Sequence, residues 1–460
     1  MSAAEAADVG DAAAGGGATG AAATGGAALD QRLARAWRAE LTKLAAQPVT
    51  RLVAALAVLG PFAFALLLRI QSGTPSDALF GVDVHDSGFA VSLVVLSFAG
   101  NWGVPIIAGL VAGDMFSGED RHNTWKTILT RSCSLGDLFG AKLLAAATIV
   151  CGLVLLAGAA SILAGEAFSG AHPLVGLSGQ QIPAGRAFAL TAVAWLLCLV
   201  PALSYTGLAI LFSVASRNGV VGVVGPLVAA LATMLLDLVG QGVWAHLLLV
   251  GATFANEYGL FTAHPFLGPL AVTLGMGLVW ATGAAGAAWA ILRRRDFLSG
   301  AAGARRGGWR GPARVAVAVA VGVGALALAC NLGPVGVTRA RLQTAIARTF
   351  SNASLLQQEL LGRHAPAGAR LDVEPYCGRG AGLRSRGPGS WLCNVFVYLP
   401  QPKSVPFQRT NVEYDVSVSS NGCFKAESPP TFIGTPTMTD AAGDRVTNPL
   451  YVVYGCFDPI

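Results

Sequence analysis

Residues 118–131 read Gly-Glu-Asp-Arg-His-Asn-Thr-Trp-Lys-Thr-Ile-Leu-Thr-Arg, the most densely charged passage between Leu52 and Leu292. The chemistry on offer is ionic: Glu119 and Asp120 stand beside Arg121, Lys126 and Arg131, with Lys142 at the exit. Trp125, Ile128 and Leu129 recur at helical spacing, which predicts a short amphipathic helix with something to press against. The competing expectation is a solvated loop whose Trp lies in a headgroup layer. Catalytic patterns are absent. The sequence has no Gly-x-x-x-x-Gly-Lys-Ser/Thr loop to cradle ATP phosphates. It has no His-Glu-x-x-His or Cys-x-x-Cys either, so no metal site is expected. His122 is expected as a solvated interface residue, and Glu166 and His172 share a loop that supplies no nucleophile.

The elements that must position this passage are apolar. The 460-residue chain is 53% hydrophobic and 12% charged, with mean hydropathy +0.58. Those values exclude an ordinary soluble protein and indicate a multi-span membrane protein. The net charge of +6 is not a nucleic-acid signal, because most basic residues flank the apolar runs. Spans are predicted at about 52–70, 89–111, 138–164, 187–214, 220–239 and 267–292. Basic clusters fall on alternate loops, which places the N-terminus and residues 118–131 in the cytoplasm. Arg69 and Arg186 sit singly at outer span ends, where they can snorkel. The run 244–254 is too short to span and is expected to dip into the outer face. Asp237 is the main ionisable residue expected inside a span, near its outer end. Gly275, Gly277 and Gly283 would permit close packing of the sixth span.

Before the first span, Leu29, Leu33, Trp37, Leu41 and Leu44 share one helical face, with Arg32, Arg35, Arg38 and Lys43 elsewhere. This pattern predicts a helix lying in the cytoplasmic interface. Residues 1–28, rich in Ala and Gly, are expected to be disordered.

The central passage resembles the cytoplasmic loop of the permease subunits of bacterial type 2 ABC exporters. The match is carried by Gly118-Glu119, Thr124, Ile128-Leu129 and Ala141-Lys142-Leu143-Leu144. Where the family usually has Pro and then Arg after the aliphatic pair, this chain has Arg131-Ser132-Cys133-Ser134. The resemblance covers roughly residues 29–298. It implies that Glu119 and Thr124 take part in coupling to an ATPase; Arg121, Trp125 and Arg131 join them by sharing the loop. It further implies a separate cytoplasmic ABC ATPase that binds ATP and Mg²⁺, so the permease itself needs no cofactor. A homodimer or a pairing with a second permease is also implied, and the N-terminal helix would help to seat the ATPase.

The resulting architecture is an α-helical polytopic membrane protein with a small C-terminal extracytoplasmic α+β domain. Its parts are a tail (1–28), an interfacial helix (29–49), a six-span permease core (50–298), a cytoplasmic linker (299–314), a seventh span (315–337) and the outer domain (338–460). In that domain 339–361 reads as a helix, and Val412, Tyr414, Val416 and Val418 alternate as a strand before an Asn421-Gly422 turn. Cys377, Cys393, Cys423 and Cys456 form an even set there, a disulfide pattern for a region outside the cell. Three pairings are open, and the sequential one is favoured. Cys133, Cys151, Cys198 and Cys330 lie in or near spans as small hydrophobes. The functional expectation is an exporter subunit in the plasma membrane, in contact with lipid and not with nucleic acid. The rival from another class is a membrane-anchored sensor or envelope assembly protein working through residues 338–460. The near-absence of span charges argues against an ion-driven carrier.

Overall fold

The computed structural model describes residues 17–71, 75, 77–125, 134–239, 247–295, 336–364, 371–379, 386–398 and 409–460. The predicted linker (299–314), nearly all of the predicted seventh span (315–337), Ile128, Leu129 and Arg131 lie outside the described residues.

Helix α1 spans Gly17–Ala46. It starts well ahead of the predicted 29, so residues 17–28, expected as disordered, are helical; their Ala content favours the helix. Pro48 then restricts Gln47 to an extended conformation and opens α2, Pro48–Ile70, at its first turn. Leu44 is buried, and Trp37 and Leu41 pack against the same apolar cluster as Phe116, Leu138 and Phe139. Leu33 lies over Gly140. The predicted apolar face is therefore pressed on the bundle.

Among the described residues, six helical stretches are long and apolar enough to cross a membrane. The first is α2. The second is built from α3 (Gly88–Phe98), a π-helical turn (Ala99–Gly103), α4 (Val104–Ala112) and the short α5 (Ser117–His122). Pro105 has no N–H to give to the carbonyl four residues back, so the ladder widens, and Val104 N–H reaches Ala99 O. The third is one unbroken helix, α6, Leu135–Ser169, capped by Ser134 Oγ accepting from Asp137 N–H at 3.1 Å. The fourth is divided at Cys198 into α7 (Ala184–Leu197) and α8 (Leu199–Ser216), three residues before Pro201. Helices α9 (Gly219–Val239) and α11 (Gly268–Leu292) complete the set, with the short α10 (Thr253–Asn256) between them.

Close helix approaches occur at glycine, though not where the sixth span was expected to use it. A Cβ at Gly222 would strike the Gly113 backbone, and one at Gly165 the backbone of Gly88. In α11 only Gly277 of the expected three is crowded, against Val200; Gly275 and Gly283 have open space beside them. Leu247, Leu249, Val250 and Phe254 are buried, with Phe254 over Gly100 at the π turn. Arg69 donates to Phe168 O at 2.8 Å.

Short strands β1 (Leu174–Val175) and β2 (Gln181–Ile182) pair in the loop after α6. In the C-terminal part, β3 (Asp372–Gly378), β4 (Gly389–Tyr398), β5 (Arg409–Val418), β6 (Cys423–Glu427) and β9 (Val452–Cys456) form a five-stranded antiparallel sheet in the order β3-β4-β5-β6-β9, covered by α12 (Arg339–Leu360), while β7 (Thr437–Thr439) pairs with β8 (Arg445–Thr447). Alternation on β5 sends Val412, Tyr414, Val416 and Val418 inward. The disulfides are Cys377–Cys393 and Cys423–Cys456, each joining residues directly opposite on neighbouring strands.

This β-domain is seated on the loops at one end of the bundle. Asn352 Nδ2 donates to Ser178 O at 2.6 Å, Cys456 N–H to Leu177 O at 3.2 Å, and Thr447 Oγ1 to Val82 O at 3.4 Å. Val452, Tyr454 and both sulfur-bonded residues of the second disulfide belong to the same apolar cluster as Phe80, Val82 and Phe261. A void of only about 30 Å³ remains at the seam.

Candidate functional site

The opposite end of the bundle carries Lys43, Arg121 and Arg217. There α5 terminates at Asn123 in the left-handed region (φ 52°), a conformation that Asn tolerates. This reversal turns the chain back, so that Thr124 N–H meets Glu119 O at 3.2 Å. Thr124 Oγ1 also bonds the Glu119 carboxylate.

Glu119 is the hub. Its Oε1 accepts from Lys43 Nζ at 2.7 Å and from Lys142 Nζ at 3.1 Å. Lys142 Nζ also reaches Glu40 Oε2 at 3.1 Å and Met115 O at 3.5 Å, and stands 5.8 Å from the Phe116 ring centroid. The Lys142 side chain is only 1% exposed. An isolated ammonium in that position would be strongly unfavourable. Two carboxylates and a second ammonium make the group electrically neutral. Burial opposes the charge on Lys43, yet its hydrogen bond to Glu119 and the fields of Glu40 and Glu119 prevail, and its pKa lies above the ordinary lysine value. The cluster thus ties three elements together: α1 through Glu40 and Lys43, α5 through Glu119, and α6 through Lys142.

Beside it, Trp125 is 5% exposed and stacks on Phe116, with ring centroids 6.2 Å apart. Its Nε1–H donates to Asp120 Oδ1 at 2.8 Å. The other Asp120 oxygen pairs with Arg295 at 2.9 Å, beyond the end of α11. Trp125 is therefore packed inside the protein, while Ile128 and Leu129 of the predicted helical face lie outside the described residues. Arg121 turns outward to Asp114, at 2.6 Å, with both groups exposed. Ser117 N–H donates to Ser213 Oγ at 3.1 Å, fixing the start of α5 to α8.

Of the residues singled out from sequence, Glu119, Thr124 and Trp125 come together here, Arg121 lies at the rim, and Leu33, Trp37, Leu41 and Leu44 seat α1 beside them. Glu40, Lys43, Lys142, Asp120 and Arg295 were not assigned roles. Lys142 carried a signal, since it sits in the Ala-Lys pair of the quoted motif and is charged within an apolar helix. Glu40 and Lys43 were visible only as the polar side of an amphipathic helix. Among the described residues, no three His, Cys, Asp or Glu side chains group as metal ligands. The arrangement offers no nucleophile or acid–base pair; it is a rigid ionic joint between helices.

Residues 37–233 match the family model described as the ABC-2 family transporter protein. Over that stretch the chain is similar to the ABC-2 membrane proteins, which supports an ABC transporter permease. The matched stretch contains Glu40, Lys43, Glu119 and Lys142. No curated protein matches the chain.

Proposed function

We propose that the chain is the membrane subunit of an ABC exporter driven by a separate ATPase, and that the joint at Glu119 receives the ATPase's motion. In this reading the end bearing Lys43, Arg121 and Arg217 faces the cytoplasm, and the β-domain lies outside the plasma membrane. ATP and Mg²⁺ bind the partner ATPase, and two permeases, identical or related, share the transport path.

The observation that carries the reading is the buried Lys142 held by Glu40 and Glu119. Force applied to the loop that starts at Glu119 passes to α6 through the buried Glu119–Lys142 pair, whose separation would strand charge away from water, and to α1 through Lys43 and Glu40. Stacking of Trp125 on Phe116 adds an apolar contact to the same lever. The surrounding chain is bilayer-sized helix, and the transported solute would move between helices that tilt as units.

The test is affinity purification from native membranes, followed by ATP hydrolysis assays and efflux measurements. An ATPase should co-purify in stoichiometric amount. Glu119→Lys with Trp125→Ala should abolish efflux while the chain still inserts and accumulates. Unchanged efflux in that double variant would sink the coupling role. Recovery of the chain without an ATPase would favour the sensor reading, in which the docked β-domain relays a ligand's presence to the spans.

A further inference from the structure

The β-domain does not close over the whole of the bundle. Between the hairpin that links β5 to β6 and the second, fourth and fifth spans lies a cavity of about 600 Å³. That is a volume typical of small-molecule sites. Its walls differ in character. On the upper side, strand alternation directs Val416 and Val418 into the β-domain, while Ser417 and Ser419 are exposed and line the cavity. On the lower side stand Phe98, Trp102, Met234 and Phe254. Phe98, Trp102 and Met234 retain 51%, 42% and 38% exposure, so this apolar wall opens sideways, at span level. The opening coincides with the π turn, a feature that recurs at functional sites, and the turn itself contains Asn101 and Trp102. Charge enters the lining once in each sign, at Asp77 and Lys425, which pair at 3.4 Å, and Lys425 also pairs at 3.0 Å with Glu427, outside the lining.

We infer that this cavity binds a single-chain amphiphile with a neutral or zwitterionic head. The head lies against the Ser417 and Ser419 hydroxyls, which can both donate and accept. The chain follows Phe98, Trp102 and Met234 toward the lateral opening. Lys425, held between Asp77 and Glu427, offers no unpaired cation to an anionic head. The enclosed volume of about 600 Å³ takes a compact head and the first part of one chain, and the rest passes through the lateral opening. None of these residues belongs to the joint at Glu119, and the binding does not depend on an ATPase.

The probe is lysophosphatidylcholine brominated in mid-chain, added to the purified full-length permease in nanodiscs of unbrominated phosphatidylcholine. Bromine quenches indole fluorescence at short range. Saturable quenching is expected, and its saturable part should vanish in Trp102→Phe. Ser417→Arg, on an exposed strand position that leaves the core intact, should raise the half-saturation point by about tenfold. Quenching that rises linearly with probe, or that is saturable yet unmoved by Ser417→Arg, overturns the site. So does complete protection of Trp102, the result of a second copy covering this face. A brominated diacyl phosphatidylcholine with the same sensitivity to Ser417→Arg overturns the single-chain assignment. The measurement uses the permease alone, so its failure would leave the coupling reading standing.

Discussion

Removing the ammonium of Lys142 would leave Glu40 and Glu119 facing each other in a site nearly closed to water. Breaking a buried ion pair from one side typically destabilises by about 3–5 kcal/mol. Lys142→Ala should therefore lower the thermal unfolding midpoint of the purified permease strongly. Lys142→Met with Glu119→Gln should recover most of that loss, because Glu40 retains the field of Lys43 on the same helix and no other charge is stranded. Lys43→Met should cost within about 1 kcal/mol, since the Lys43 side chain is 53% exposed. Equal losses for Lys142→Ala and Lys43→Met would contradict the neutral-cluster account. Part of this site was legible in the sequence. Glu119 and Thr124 stood out through motif spacing, and Trp125 through helical spacing. Glu40 did not, because its partner Lys142 is 102 positions away, and no local periodicity carries such a pairing. Arg295 pairs with Asp120 across 175 positions and was hidden for the same reason.

Elements were more readable than their interruptions. Hydropathy and loop charge gave the six long helices, because burial in lipid demands long apolar runs. The π turn before Pro105 and the break at Cys198 depend on which carbonyls lose a donor, which composition does not record. The loops beyond the spans held a further surprise at Asp83, in the 3₁₀ turn Gly81–Val84 beneath the β-domain. Burial, and then the neighbouring charge of Asp86, push its carboxyl up to about 8. Tyr454 of β9 stands near it, and burial together with the Asp83 charge raises the Tyr454 phenol as well. The folded protein holds the Asp83 proton where the unfolded chain, with an ordinary carboxylate, has released it. Stability from this group is thus fully present below pH 4, about the ordinary carboxylate value, and is lost as pH rises toward about 8. Asp83→Asn should keep its unfolding midpoint over that window while the parent chain loses several degrees. Parallel curves for the two proteins would show that Asp83 carries no such linkage.

On the scale of the whole molecule, the sequence distinguished two parts but not their union. Residues 338–460 read as a separate module because strand alternation and paired cysteines are local patterns. Their seating on the bundle rests on contacts such as Thr447 with Val82, 365 positions apart. The union gives α6 a particular role. It is 35 residues long without a break, about 52 Å at 1.5 Å per residue. It begins at the ionic joint and ends at the loops on which the β-domain sits. The second and fourth stretches are interrupted, so they can bend, whereas α6 can transmit displacement as a rod. Gly152 lies in this helix with open space beside it, so a substitution there meets no neighbour. Gly152→Pro would remove one ladder bond and kink the rod, at about 3 kcal/mol; Gly152→Ala would leave it straight. A bimane label on Ser419→Cys, quenched by Trp102 across the cavity, should respond to nucleotide in the ATPase-bound complex. The response should survive Gly152→Ala and disappear in Gly152→Pro, while the ATPase remains bound in both. If Gly152→Pro kept the response, displacement would have to travel through the interrupted helices instead, and the continuity of α6 would be a matter of packing alone.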